Sequence, residues 1–337
     1  MIQGQQTWIY ENNPVIISTG TIGGPFEGNG NLADDFDILH DDLWLGQDSY
    51  EKAQKVLLEE SITKAIEKAE LQNSDIQFMF AGDLINQITP SSFAGRTLAI
   101  PYMGLFGACS TSMEGLALGS YIVNSNGADR IVTAASSHNA ATEKQFRYPT
   151  EYGGQKPPTA QWTVTASGAA VVSSKGEGPI VTSATIGKVV DMGLSDPFNM
   201  GGAMAPAAAD TILAHFRDRN LPADHYDLIA SGDLGEIGLP IAKELLKEKG
   251  LDIAEETFQD CGLMIYREGQ PVFSGASGPG CSASVTYGHL LNRIKKGELK
   301  RILVVATGAL LSPLSFQQKE TIPCIAHAVS IEAGGVK

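Results

Sequence analysis

The chain has 337 residues, 43% of them hydrophobic and 18% charged, the composition of a soluble globular fold with one large core or two fused halves. A net charge of −14 with no basic run excludes a nucleic-acid partner. Four scattered cysteines, none in C-x-x-C spacing, exclude a disulfide scaffold or zinc site and suit a reducing, intracellular setting; no apolar run reaches membrane-spanning length, and Met1–Gln6 lacks a signal-peptide pattern.

In chain order, Thr7–Tyr10 and Val15–Ser18 predict short strands. Residues 19–47 are Gly-rich and acidic, with Asp34-Asp35 and Asp41-Asp42, and predict a surface insert. The acid pairs read as a solvated loop, with a divalent-ion contact as the alternative. Ala53, Val56, Leu57, Ile62, Ala65, Ile66 and Ala69 recur at helical spacing and predict a helix over Asp48–Leu71. Ile76–Ala81 predicts a strand running into Gly82-Asp83-Leu84, and Pro90–Leu98 a short helix with proline in its first turn.

Tyr102–Phe106 predicts a buried strand that stops at Gly107, and Met113, Leu116, Ala117, Ser120 and Tyr121 mark the helix that follows. Cys109 stands where strand becomes helix, with Ser110, Thr111 and Ser112 as first-turn capping types. A thiol at the positive end of a helix dipole has a lowered pKa and acts as a nucleophile, or the spot receives a carboxylate. The alternative is one more small, inert, buried thiol. Arg130–Ala135 is the next strand, and the alternation predicts a mixed or parallel sheet covered on both faces. Residues 138–158 predict a long functional loop carrying His138, Lys144, Arg147 and Lys156. Strand returns over Thr163–Ser173, and Ser174–Gly178 reads as a junction.

The second half repeats the first. Ile76-Gln-Phe-Met-Phe-Ala-Gly-Asp-Leu84 is answered by Tyr226-Asp-Leu-Ile-Ala-Ser-Gly-Asp-Leu234, Gly107-Ala-Cys-Ser-Thr-Ser112 by Pro279-Gly-Cys-Ser-Ala-Ser284, and Ala128–Ala135 by Leu299–Ala306. Two halves follow, 1–175 and 176–337, with a site expected where they meet.

These repeats, with a cysteine opening the central helix of the first half, resemble the thiolase and ketoacyl synthase superfamily. The resemblance implies an α/β fold of two pseudo-symmetric βαβαβαββ halves in a five-layer αβαβα sandwich. Ile322-Pro-Cys-Ile-Ala-His-Ala-Val-Ser-Ile-Glu332 is similar to the thiolase loop with a second, acid–base cysteine, which puts Cys324 in the role of proton donor. Two departures stand against catalysis. Ser277-Gly278-Pro279 lacks the histidine of Gly-His-Pro, and Gly232-Asp-Leu-Gly-Glu236 replaces Asn-Glu-Ala or His-Gln-Ala-Asn. A missing base costs on the order of 10²–10⁴ in rate and a missing oxyanion donor about 10²–10³. The expectation is therefore a non-enzyme in which Cys109 and Cys324 are vestigial, with an active condensing enzyme as the rival.

Longer strings, among them Phe106-Gly-Ala-Cys-Ser-Thr-Ser-Met-Glu114, Ser136-Ser-His-Asn-Ala-Ala141, Gln145–Pro157, Ala203–Asp210 and Thr307–Pro313, resemble the stage V sporulation protein AD family of spore-forming bacteria. That resemblance implies binding of dipicolinic acid, free or as its calcium chelate, and its passage into the developing spore. It also implies membrane-embedded partners from the same operon, peripheral association with the spore inner membrane, and a homodimer paired through Thr163–Val172. A further rival is a structural docking partner with an empty pocket. Dipicolinate is a flat ring with two carboxylates. The expected ligand-binding set is Cys109, Ser136, His138, Lys156, Met204, Asp233, Leu234, Cys281, Ser282 and His327, with both cysteine-led helix starts facing the ligand. No metal site and no cofactor are expected, and Cys261 reads as structural.

Overall fold

The computed structural model describes residues 1–147 and 156–334, without the Arg147 side chain; that side chain and residues 148–155 of the predicted loop lie outside the described residues. Ten strands form the continuous path of a 13-stranded main sheet: β1 (Val15–Gly23), β2 (Phe78–Gly82), β3 (Tyr102–Gly104), β4 (Arg130–Ser137), β5 (Ala166–Ser173), β6 (Ile180–Ile186), β7 (Leu228–Ser231), β8 (Phe258–Asp260), β9 (Arg301–Ala309) and β10 (Cys324–Glu332). Their order is β8-β7-β9-β10-β6-β1-β5-β4-β2-β3. Read outward from the centre, β1-β5-β4-β2-β3 and β6-β10-β9-β7-β8 are the same path twice. In each, four strands run parallel to one another and one, β5 or β10, runs antiparallel between two of them. β1 and β6 touch through one ladder pair, Val15 with Ile180, and the N-terminal strand Thr7–Ile9 also pairs with β6.

Helices fill the layers between and outside. Helix α1 (Tyr50–Lys68) starts at Ser49, whose hydroxyl accepts from the Lys52 N–H, and buries Ala53, Leu57, Leu58, Ile62, Ala65 and Ile66 against β1, β5 and β4. Helix α2 (Thr89–Leu98) lies beside it. On the other half, α5 (Met200–Arg219) packs on β9 and β10, and α6 (Gly235–Glu248) on α5 and β8. The middle layer is α3 (Thr111–Asn124), which touches strands of both halves, and α7, a continuous helical run over residues 279–295 that packs on α3, β4 and β5. The expected five-layer αβαβα sandwich is thus present. An N-terminal hairpin, Ile2–Gln3 with Thr7–Ile9, is pinned to α5 by Asp218, which accepts from the N–H groups of Gln5 and Gln6 and from the Thr7 hydroxyl.

Four predicted features are corrected. Tyr102–Phe106 is not a buried strand: β3 is three residues long and ends the sheet, with Met103 45% and Phe106 52% exposed. The insert does not begin at residue 19, because residues 19–23 complete β1 in the core. The rest of it is tied down: Asp35 pairs with His289, Asp37 with Lys68, and His40 with Glu60. Its carboxylates serve as side-chain partners, and among the described residues no cluster has a metal-ligand arrangement. The 138–158 loop opens as helix α4 (Asn139–Arg147). Finally, β5 is hydrogen-bonded on both sides, to β1 and β4, so Thr163–Val172 has no free edge to offer a second copy.

Candidate functional site

The site is built around one turn. Ala108 takes a left-handed backbone, φ 51°, which costs a non-glycine residue roughly 1–2 kcal/mol and aims Cys109 away from the helix it precedes. Gly308, at the end of β9, packs so closely that a Cβ there would meet the Gly107 carbonyl at 2.2 Å. The expected first-turn caps do not form. Ser110 Oγ donates to the Gly107 carbonyl (2.6 Å), and Thr111 Oγ1 donates to the Ala108 carbonyl (2.7 Å) while accepting from the Gly107 N–H (3.0 Å), so the hydroxyls tie down the reversed turn before the helix and not the N–H groups of its first turn.

Cys109 opens onto a cavity of about 560 Å³ between the two halves, within the range of small-molecule sites. Its walls come from Phe106, from Thr142, Gln145 and Phe146 on α4, from Phe198, Met200 and Met204 around the start of α5, and from Leu311 and Phe316 beyond β9. Phe316 belongs to α8 (Pro313–Gln317), capped by Ser312, in the long connection between β9 and β10. The lining is mainly aromatic and aliphatic, with Asp233, Gln161, Thr163 and Ser277 as polar groups near Cys109 in the lining and Thr142, Glu143, Gln145, Ser312 and Gln317 as further polar wall residues. Two lining atoms are buried without a hydrogen-bond partner: Gln161 Oε1 and Thr142 Oγ1. Among the described lining residues none is a lysine, arginine or histidine.

Asp233 lines the same cavity as Cys109, close enough for its charge to act on the thiol. The carboxyl is 1% exposed; Oδ1 accepts from Thr307 Oγ1 (2.7 Å) and Oδ2 from the Gly278 N–H (3.1 Å). Burial, against these donors, pushes its pKa up to about 7, and buried Asp260 behind it adds a further upward push. The same burial and the Asp233 charge push the Cys109 thiol well above its ordinary value. This overturns the expected lowering. The dipole at the start of α3 is outweighed by desolvation and a carboxylate where a thiolase-like nucleophile needs a base.

Of the ten expected ligand residues, the fold brings Cys109, Met204 and Asp233 to the cavity wall. The others lie off the described lining. Both ring nitrogens of His138 are in use, Nε2 donating to the Leu43 carbonyl (2.8 Å) and Nδ1 accepting from the Ala141 N–H (3.4 Å). Lys156 is paired with Glu143 (2.7 Å) above the Trp162 ring. Ser136 accepts from Gln54, Leu234 is core, and His327 Nδ1 accepts from the Gly187 N–H. Cys281 points at the Gly232 carbonyl and Ser282 bonds to Ser112 (2.6 Å), so the second helix start abuts the first instead of facing the cavity. Cys324 is buried with its pKa raised to about 12, first by desolvation. Cys261 is buried in the main core, as a structural thiol should be. The aromatic walls went unread because they come from four separate segments; only the length of the β9–β10 connection hinted at them.

The chain matches the family model described as Stage V sporulation protein AD over residues 4–332. It is 51% identical over 334 residues to the stage V sporulation protein AD of Bacillus subtilis (strain 168), covering 99% of this chain and 98% of that protein. Among solved structures it is similar to the 3-oxoacyl-[acyl-carrier-protein] synthase III of Aquifex aeolicus VF5, at 13% identity and a TM-score of 0.60 over 95% of this chain and all of that one. It is also similar to a single-residue variant of Xanthomonas campestris OleA, at 12% identity and a TM-score of 0.61 over 98% of this chain and all of that one. The structural likenesses establish a thiolase-like fold. The chain belongs to the stage V sporulation protein AD family.

Proposed function

We propose that this family member is a receptor for dipicolinic acid, binding it in the cavity at Cys109, and that it performs no acyl transfer there. The observation that carries the reading is the pairing of Cys109 with Asp233 in an aromatic-walled cavity. A thiol held protonated by a neighbouring carboxylate is a poor nucleophile, whereas flat apolar walls with polar groups at one end suit an aromatic ring bearing carboxylates. Gly278 adds to this: at φ 101°, with a Cβ there 2.7 Å from Ser137 Oγ, the position has no room for the histidine that thiolases use.

In this reading the protein hands dipicolinate, free or with calcium, to membrane-embedded partners at the spore inner membrane. No helix of the described residues is long and apolar enough to cross a membrane. A second copy would dock on the open edge of β3, where Met103 and Phe106 are exposed, and not on β5.

Calorimetric titration with dipicolinate tests the reading. Saturable binding, lost when Met204→Trp fills the cavity, is the expected outcome; binding that the filled variant retains would move the ligand elsewhere. Active acyl transfer is the second reading, favoured by the thiol's access to the cavity, and covalent labelling of Cys109 by acyl-CoA would establish it.

A further inference from the structure

A dianionic ligand meets an obstacle in this cavity. Its described lining carries the carboxyl groups of Asp233 and Glu143, and the one neighbouring lysine, Lys156, is already bound to Glu143. Asp233 is the buried one of the two carboxyls, facing Cys109 at the polar end. A ligand carboxylate beside an ionised Asp233 puts two like charges together away from water, an arrangement that proteins resolve by letting the pair share one proton.

We infer that Asp233 is the specificity-determining residue of the cavity and holds one ligand carboxylate through a shared proton, so that each ligand bound takes up one proton from solution. The inference rests on the dipicolinate reading. The balance is simple: an ionised Asp233, a proton and a ligand carboxylate become a carboxylic acid donating to a carboxylate, with no bond to carbon made or broken. Burial already brings the free carboxyl to about 7, so it is partly ionised at neutral pH, and the second carboxylate drives protonation to completion. The hydroxyl of Thr307 and the N–H of Gly278 fix the carboxyl group, and the Gln161 amide, which donates to the Asp233 carbonyl, keeps Oε1 free beside it.

The other groups around Asp233 do not supply this proton. The thiols of Cys109, Cys324, Cys261 and Cys281 are all pushed upward and stay protonated through the neutral range. Asp260, on β8, faces away into the Ser231 hydroxyl and the N–H groups of Leu234 and Gly235. Glu143, at the cavity wall, is ion-paired.

The test is calorimetry on the full chain with dipicolinate and a calcium chelator, at pH about 6, 7 and 8, in phosphate and in Tris. The difference in apparent enthalpy between buffers counts protons. The expected result is little uptake at pH 6, close to one proton at pH 8, and affinity falling roughly fivefold from pH 7 to 8. Asp233→Asn should bind with no uptake and no pH dependence. Binding by the intact protein that is pH-independent and proton-neutral overturns the inference and leaves the receptor reading standing; the buffer comparison decides this even if the variant fails to fold. Uptake that persists in a folded Asp233→Asn variant assigns the proton elsewhere and also overturns it. So does binding that appears only with added calcium and tightens toward pH 8, the mark of an ionised Asp233 on a chelated cation. No binding at any pH, with or without calcium, removes both readings.

Discussion

At the scale of single residues, Cys109 has the sequence setting of a reactive cysteine and the surroundings of an unreactive one. The helix dipole at the start of α3 favours the thiolate, but burial and one adjacent carboxylate push the thiol the other way, well above its ordinary value. Cys109 is the only one of the four cysteines that is not fully buried, so a thiol reagent reports on it alone. Alkylation by iodoacetamide at pH 7.5 should be slow and gain speed only in strongly alkaline buffer. Asp233→Asn, which removes the charge, should raise the rate at pH 7.5. A Cys109 that reacts in the intact protein with a midpoint near neutrality would contradict this account.

At the scale of elements, the two cysteine-led helices are equivalent in sequence and unequal in surroundings. The start of α3 opens to the cavity, while the start of α7 is sealed by Ser112, Ser137 and the β5 backbone. Gly278, just before α7, combines a close approach to Ser137 with a left-handed backbone. A side chain there meets both a positive φ, at about 1–2 kcal/mol, and overlap with Ser137, at about 1–3 kcal/mol. Gly278→Ala should therefore lose about 2–5 kcal/mol in denaturant unfolding, and Gly278→His should be worse without gaining acyl transfer. A neutral Gly278→Ala would mean that the turn yields easily, and the steric argument against a histidine would fall with it.

At the scale of the molecule, an unusual number of acids are buried. Desolvation raises Glu27, Glu114 and Asp233 to about 7 and Asp83 to about 6. An acid with a raised folded pKa contributes stability below its unfolded value, near 4, and loses it as pH rises through the folded value. Histidines act in the opposite sense. Burial lowers His215 to about 3 and His327 to about 4, so each costs stability as pH falls below about 6.5, where the unfolded chain takes up the proton. Between about pH 5 and 6.5 the two histidines offset only part of what the four acids lose; above that only the acids titrate. The melting temperature should fall gently from pH 5 to 6.5 and be lower again at pH 8. A melting temperature that climbs from pH 6 to 8 would show that these carboxyls are ionised in the fold.

What the linear chain determined by itself was whatever depends on local pattern. The helical spacing of Ala53 to Ile66 and the strand run of Arg130–Ala135 yield α1 and β4 because periodicity decides which face is buried. The answering strings at Cys109 and Cys281, and at Arg130 and Arg301, betray the duplicated fold that the mirrored sheet order displays. The tertiary structure alone decided the chemistry at Cys109. Desolvation and charge act through space, and Asp233 lies 124 positions away in sequence (233 − 109), reaching the thiol only because α3 packs on β9, whose Thr307 holds Asp233. The same holds for the cavity, whose aromatic walls are drawn from segments that no spacing in the sequence connects, and for which of two matching helix starts stays open.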